Sequence, residues 1–158
     1  MSIRGDAEFD LTKPGYVPAV RRRRLVTAAI KDGFKGIRGN RYEVRREHID
    51  WAAWSFERYP FGVALIYPET QFLTPRCQTI LSVEMFTRMK SDTKERDDDV
   101  IGEMLEDLVM VLLYLEQSKD QLGNSVVHNI DAPKSKALEE SDPNGRMQGF
   151  SAMIMIDF

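Results

Sequence analysis

The last twelve residues of the chain, 147–158, alternate in a way that constrains the backbone more than any other stretch. Every second side chain from Phe150 to Phe158 is apolar, and a period of two predicts a β-strand with two distinct faces. The opposite face is also largely apolar; its residues are Met147, Gly149, Ser151, Met153, Met155 and Asp157. A strand that is apolar on both faces needs two covers. We therefore expect a second layer of the same domain, or a neighbouring subunit, over this opposite face.

Upstream of this strand, helical and strand-like patterns alternate. The predicted elements are a helix from Val17 to the glycine-rich segment 33–40, a strand at 61–67 closed by Pro68, a strand at 77–90, a helix at about 98–118 and a strand at about 125–130. The connection between the first two strands is short enough for an antiparallel hairpin.

Residues 41–60 allow two interpretations. One is a helix, with an apolar stripe that includes Val44, His48 and Trp51; the other is a loop in which Trp51 and Trp54 pack onto the sheet. Arginines alternate with these tryptophans, a combination that suits stacking on nucleic-acid bases, but packing of both tryptophans in the core is the favoured interpretation.

The length of 158 residues predicts one domain, residues 17–158, preceded by an arm at residues 1–16 that glycine and proline interrupt. The single cysteine, Cys77, excludes an internal disulfide and a Cys-rich zinc site. No apolar run reaches the roughly 18 residues of a membrane helix, and the first residues lack the apolar stretch of a signal peptide. We therefore expect a soluble protein of a reducing compartment, with no membrane partner.

Charge is divided unevenly along the chain. Residues 1–50 carry 12 Lys and Arg against 7 Asp and Glu, whereas residues 51–158 carry 10 against 18. Two oppositely charged parts favour stacking on copies or on unlike neighbours, because such surfaces attract over about a Debye length. The basic part alone could contact nucleic acid, and an uneven division without functional meaning is equally compatible with these counts.

The block Arg21-Arg22-Arg23-Arg24 has the most functional character of the charged segments. Four consecutive residues of a helix point around most of its circumference, so two of them at most contact one partner while the others shield the apolar face. A solvated helix start is the alternative interpretation. DNA binding by this block lacks an accompanying recognition-helix motif.

A polar stretch at residues 131–146 precedes the final strand and exceeds the usual connection length. It carries both charge signs, on Lys134, Lys136, Glu139, Glu140 and Arg146. We expect a loop or hairpin extension that contacts a partner, with a tolerated surface insertion as the alternative. Together with Arg21–Arg24, Met153 and Met155, these residues are the predicted interface.

No combination of residues predicts catalysis. His48 and His128 lack a nucleophile in a recognisable motif, and the glycines of 33–39 follow a helix, unlike those of dinucleotide-binding and phosphate-binding loops. The run Asp97–Asp99 is explained by capping of the helix at 98–118 and by the positive end of that helix. We therefore expect no enzyme activity, no cofactor and no bound metal.

Five segments follow one another as a basic helix, a proline-flanked apolar strand, a long alternating strand, an acidic-capped amphipathic helix and a final strand. They are Leu25–Lys31, Tyr59–Leu65, Gln78–Phe86, Val100–Leu115 and Phe150–Ile156. In order and length, over about residues 20–158, this pattern resembles the tail terminator (tail completion) proteins of long-tailed bacteriophages.

The resemblance implies an α+β fold, with a mixed, mainly antiparallel sheet and helices packed on one face. It implies a homo-oligomeric ring, of six copies in that family, which caps the tail tube, ends tube polymerisation and provides the surface for head–tail joining. The implied partners are the chain itself, the tail tube protein and a head–tail connector, with DNA at most passing through the ring lumen. The implied location is the tail–neck junction of the virion, after assembly in the host cytoplasm. A head-completion or connector adaptor of the neck is one alternative, and a nucleic-acid-binding module is another.

Overall fold

The computed structural model describes residues 19–37, 41–72, 77–88, 94–121, 123–142 and 145–157. It describes their side chains too, except those of residues 19–22, 69–72, 77–78, 94–98, 138–142 and 145–146. The predicted arm at residues 1–16 lies outside the described residues.

Two helices and six strands form within the described ranges. In chain order they are α1 (Ala19–Gly36), β1 (Tyr42–Arg45), a 3₁₀ turn (Trp51–Ala53), β2 (Phe61–Phe72), β3 (Cys77–Arg88), α2 (Lys94–Gln117), β4 (Asn129–Ile130), β5 (Lys134–Asp142) and β6 (Gly145–Asp157). The strands form one sheet in the order β1-β2-β3-β6, and β4 and β5 follow each other along the free edge of β6. Only the pairing of β1 with β2 is parallel among these strands. The α+β class with a mixed, mainly antiparallel sheet is therefore confirmed.

One face of the sheet, the inner face, belongs to the main hydrophobic core. Its rows across β2, β3 and β6 include Val63, Met85 and Phe150, and then Leu65, Val83 and Ala152. The same buried cluster contains Val26, Ile30 and Phe34 of α1 and Met104, Leu108, Val111 and Leu115 of α2. Both helices and the inner face thus share one core, while the packing of both helices on a single face stays a prediction.

The opposite face, the outer face, is covered at one end by an aromatic segment. Trp51, Trp54 and Phe56, which we call the aromatic cover, form a second buried cluster with the sheet residues Ala64, Phe86 and Met147. The rings of Trp51 and Phe86 lie 4.6 Å apart between centroids. Because the second cluster lies on the side of the sheet away from the main core, the sheet is buried on both faces at this end.

The aromatic cover decides between the two interpretations of residues 41–60. The stretch contains β1 and one 3₁₀ turn, so the long helix is wrong and the loop that packs onto the sheet is confirmed. Trp51 Nε1 donates a hydrogen bond to Glu84 Oε2 (3.0 Å), and Trp54 Nε1 donates one to the carbonyl oxygen of Tyr59 (3.0 Å). Each indole ring is therefore buried while its N–H group keeps a partner, which stabilises an irregular segment against the sheet.

Two glycines allow the close approaches that this arrangement needs. A Cβ atom at Gly62 would lie 2.5 Å from Cζ3 of Trp51, and one at Gly149 would lie 1.8 Å from the carbonyl oxygen of Met85. Gly62 therefore makes room for the aromatic cover, and Gly149 allows β6 to lie close to β3.

Strand β2 differs from its predicted boundary. It continues through Pro68 to Phe72, and the pairing with β3 shifts register between Ile66 and Glu69. A bulge of this kind accommodates proline, which has no N–H group for the hydrogen-bond ladder. The antiparallel hairpin of β2 with β3 is confirmed.

Helix α2 also differs from its predicted boundaries. It begins at Lys94 rather than near residue 98, and it ends at Gln117, before Gly123. The run Asp97–Asp99 thus lies inside the first turns of the helix, so its predicted capping role is wrong.

The segments that flank β4 depart from prediction as well. Of the strand at about 125–130, only Asn129 and Ile130 form strand pairs with β6, since Ser125 and Val126 pair instead with Lys119 and Ser118 after α2. Most of the polar stretch 131–146 is strand β5, which pairs with β6 from Lys134 opposite Met153 to Asp142 opposite Gly145. The hairpin extension is therefore confirmed, and the loop is wrong.

A pair of glycine substitutions tests this packing. Gly149→Ala should lower the free energy of unfolding by about 3 kcal/mol or more, because its Cβ meets backbone that cannot move without breaking the β3–β6 pairing. Gly102→Ala in α2 is the matched control: no atom lies within 4 Å of its added Cβ, and alanine should stabilise the helix by about 0.5–1 kcal/mol. Urea unfolding followed by circular dichroism measures both. Equal stability of the two variants would contradict the close approach at Gly149.

Candidate functional site

Large apolar side chains are exposed in two places among the side chains that the structure describes. The first, which we call the helix patch, consists of Val109, Met110, Leu113 and Tyr114 of α2. The second, the methionine patch, consists of Met153 and Met155 of β6. Contiguous exposed apolar residues of this kind are typical of surfaces that bind a partner.

The methionine patch lies on the outer face of the sheet, beyond the aromatic cover. Met147, on the same face of β6, is fully buried, whereas Met153 and Met155 are 43% and 42% exposed. Six residues of extended strand, about 20 Å, separate Met147 from Met153. The domain thus supplies the expected cover at one end of this strand face and leaves the other end open.

Two exposed lysines of β5 border the methionine patch. Lys134 lies opposite Met153 in register, and Lys136 lies opposite Ser151. Directly paired residues of neighbouring strands project from the same face. The structure therefore brings together four of the predicted interface residues, namely Lys134, Lys136, Met153 and Met155. The side chains of the other three from this stretch lie outside the described ones: Glu139, Glu140 and Arg146.

The helix patch forms an exposed stripe of α2, and the ring of Tyr114 in this stripe lies against α1 at Gly33. Its four residues occupy positions i, i+1, i+4 and i+5, which form one stripe of a helix, and they are between 45% and 58% exposed. The charges beside this stripe are acidic: Glu106 precedes it by one turn and Glu116 follows it, both exposed. Residues 99–117 contain no Lys or Arg.

The helix patch could be predicted from the sequence, although not from the helical periodicity alone. Residues 108–115, Leu-Val-Met-Val-Leu-Leu-Tyr-Leu, are eight consecutive apolar residues and therefore surround the helix. A helix that is apolar on every side is typically buried on every side, whereas the four residues of the helix patch are exposed in the single chain. The buried stripe that predicted α2 does not by itself indicate this second, exposed apolar stripe.

The two described side chains of the block Arg21–Arg24 differ in exposure. The side chains of Arg21 and Arg22 lie outside the described ones, and Arg24 is exposed. Arg23 is half-buried, with its Cζ 6.0 Å from the centroid of the Tyr67 ring. Of the described arginines in this block, Arg24 is thus the one whose side chain is available to a partner.

Tyr67 joins α1 to β2 through a hydrogen-bonded network. Thr27 Oγ1 donates to the carbonyl oxygen of Arg23 (2.8 Å), so the Tyr67 hydroxyl, also 2.8 Å from Thr27 Oγ1, is the donor in that second bond. Burial raises the pKa of Tyr67 above its ordinary value, although the guanidinium groups of Arg46 and Arg23 act in the opposite direction.

Arginines also lie on aromatic rings near β1. The Cζ of Arg45 is 4.7 Å from the centroid of Trp54, and that of Arg41 is 4.4 Å from the centroid of Phe61. Trp51 and Trp54 are themselves only 4% and 8% exposed. Nucleic-acid bases have no access to these buried rings, so base stacking on them is wrong and their packing in the core is confirmed.

Within the side chains that the structure describes, no three His, Cys, Asp or Glu residues converge as metal ligands. His48 and His128 are both exposed. No helix among the described ranges combines the length and the apolar character needed to cross a membrane. The absence of enzyme activity, cofactor and metal stays a prediction.

A scan against protein-family models finds no match to the chain, and a search of curated proteins finds no significant match. The resemblance to tail terminators in order and length of elements therefore supports a proposal rather than an assignment.

The Tyr67 network makes a prediction about alkaline pH. The pKa of Tyr67 is raised in the folded chain, so above about pH 10 the unfolded chain releases this proton more readily and stability falls as the pH rises. Tyr67→Phe should cost about 1 kcal/mol at pH 8, where it removes the bond to Thr27, and should flatten the loss of stability between pH 9 and 11. Urea unfolding at each pH measures this. Parallel pH profiles for the wild type and the variant would contradict the raised pKa.

Proposed function

We propose that the chain is a structural virion protein that assembles into a homo-oligomeric ring, caps the tail tube of a long-tailed bacteriophage and ends its polymerisation. In this role the ring also provides the surface on which the head joins the tail. Its site of action is the tail–neck junction, and its partners are other copies of itself, the tail tube protein and a head–tail connector. The resemblance of the element order to tail terminators implies six copies per ring.

The observation that carries this proposal is the pair of uncovered apolar patches on separate surfaces of one small domain. The helix patch lies on α2, and the methionine patch lies on the outer face of the sheet. A chain with two different adhesive surfaces associates head to tail, and head-to-tail association of copies gives a ring when the rotation closes. Two self-complementary surfaces would instead favour twofold dimers.

Charge supports a place between unlike neighbours. Residues 1–50 are basic in balance and residues 51–158 are acidic. Among the described side chains, Arg24, Arg41 and Arg46 are exposed and belong to the basic part, whereas Glu106 and Glu116 on α2 belong to the acidic part. A ring with this distribution has surfaces of opposite charge to offer to a tube below it and a connector above it.

Mixing the purified chain with the tail tube protein of the same virus tests the proposal. Electron microscopy should show the chain at tube ends, and tube length should stop increasing once the chain is added. Unchanged tube growth without end binding would overturn the tail-terminator role. Binding to the connector but not to the tube would favour the alternative, a head-completion or connector adaptor. Tight, salt-dependent binding of duplex DNA by the isolated chain would favour a nucleic-acid-binding module.

The methionine patch should be required for assembly but not for folding. Met153→Gln with Met155→Gln keeps side-chain length and removes apolar surface that is already partly exposed, so the far-ultraviolet circular dichroism should not change. Particle mass in solution should fall to that of the monomer, and tubes should continue to grow. Met153→Leu with Met155→Leu is the matched control and should still assemble. Ring formation by the glutamine variant would contradict the role of this patch.

A further inference from the structure

We propose that the helix patch of one copy docks on the methionine patch of the next copy, as a single head-to-tail interface. The inference deepens the proposed function and rests on it for ring closure, since it names the two surfaces that build the ring. The contact itself involves only copies of this chain, so it can be measured in the absence of tail tubes.

The two patches match in length and in chemistry. The helix patch spans five residue steps of α2, about 8 Å at 1.5 Å per residue, and the spacing from Met153 to Met155 is about 7 Å of extended strand. Ile66 and Ile80, both half-buried, lie beside the methionines on the outer face, opposite Ser82 and Met155 in register. Methionine side chains are flexible and adapt to the irregular surface of a helix, so this face suits a helical partner.

The charges at the borders select head-to-tail contact over symmetric contact. Glu106 and Glu116 border the helix patch, and Lys134 and Lys136 border the methionine patch. Two helix patches in contact would bring glutamates against glutamates, and two methionine patches would bring lysines against lysines. The contact of one patch with the other instead brings the glutamates of α2 against the lysines of β5, which favours a second copy as the occupant of each patch.

The aromatic cover explains why the methionine patch stays free for this contact. Trp51, Trp54 and Phe56 bury the Met147 end of the outer face, and Trp51 is held there by its hydrogen bond to Glu84. Glu84 is thereby occupied within its own chain. Lys134 and Lys136 of β5 are exposed beside Met153, and the exposed Asp131, which donates its backbone N–H to the carbonyl oxygen of Met155, lies beside the other methionine.

Mixing two association-defective variants tests the inference directly. Variant one, Met110→Gln with Leu113→Gln, lacks the helix patch; variant two, Met153→Gln with Met155→Gln, lacks the methionine patch. Each alone should be a monomer at concentrations at which the wild type forms larger particles. Because each keeps one intact surface, their equimolar mixture should form a dimer of one copy of each, measured by analytical ultracentrifugation and by native mass spectrometry with one variant isotope-labelled. Circular dichroism confirms that both variants are folded.

The outcomes separate the possibilities. A heterodimer supports the interface, whereas dimers of variant two alone would assign a symmetric helix–helix contact and overturn it. Dimers of variant one alone would assign a symmetric contact of methionine patches and overturn it too. A mixture that stays monomeric, or a wild-type chain that never associates, also overturns it. If the heterodimer forms but the wild type leaves tube growth unchanged, the interface stands and the proposed function fails.

A charge exchange provides a second measurement. Lys134→Glu with Lys136→Glu should weaken association of the chain several-fold at low salt, and so should Glu106→Lys with Glu116→Lys. All four changes in one chain should restore association, because the opposite charges again face each other. Lys35→Glu, an exposed lysine at the end of α1, is the control and should leave association unchanged. Loss of association in the four-fold variant as large as in either double variant would contradict the pairing.

Discussion

Strand β6 is apolar on both faces, and the rest of the structure depends on how those two faces are covered. It pairs with β3 over eleven positions on one side and with β4 and β5 on the other, so it has no free edge over most of its length. Its inner face, with Phe150, Ala152, Ile154 and Ile156, is completely buried in the core that contains both helices. Its outer face receives a cover only where Trp51 and Trp54 reach it. The remaining outer surface, at Met153 and Met155, stays partly exposed in the single chain, and we propose that a second copy covers it.

Helix α2 also keeps an exposed apolar surface, although for a different reason. Eight consecutive apolar residues surround it, and the domain buries Leu108, Val111, Leu112 and Leu115 among them while the helix patch stays exposed. Two incompletely buried elements on separate surfaces, with opposite charges at their borders, are what a chain that assembles head to tail requires. In the proposed assembly, folding buries one part of the apolar surface of β6 and α2, and association of copies buries the rest. On the outer face, the aromatic cover buries the Met147 end within the chain and leaves the end at Met153 and Met155 exposed.

The elements with strict periodicity could be predicted from the sequence, and those whose position depends on distant contacts could not. The alternation of 147–158 and of 77–90 predicted β6 and β3, because each has one face completely buried. The sequence of residues 41–60 did not decide between a helix and a loop. Trp51 and Trp54 are positioned there by Phe86, Met147 and Glu84, which are remote in sequence. The extension of β2 past Pro68 depends on a bulge that only the pairing with β3 reveals. Met153 and Met155 were predicted as interface residues from their exposed side of the alternation, whereas the helix patch was missed because a regular buried stripe already accounted for α2.

Oxidation of individual methionines tests the proposed contact between copies, because it reports the burial of Met110, Met153 and Met155 in the unmodified chain. Mild peroxide treatment over a series of protein concentrations, followed by peptide mass spectrometry, gives a rate of sulfoxide formation for each residue. At concentrations where the chain is monomeric, all three should oxidise readily, while the buried Met85 and Met104 should not. The rates of sulfoxide formation at Met110, Met153 and Met155 should fall together as the chain associates, with the same midpoint in protein concentration. Association that leaves these three rates unchanged, or that protects one patch and not the other, would contradict the proposed contact.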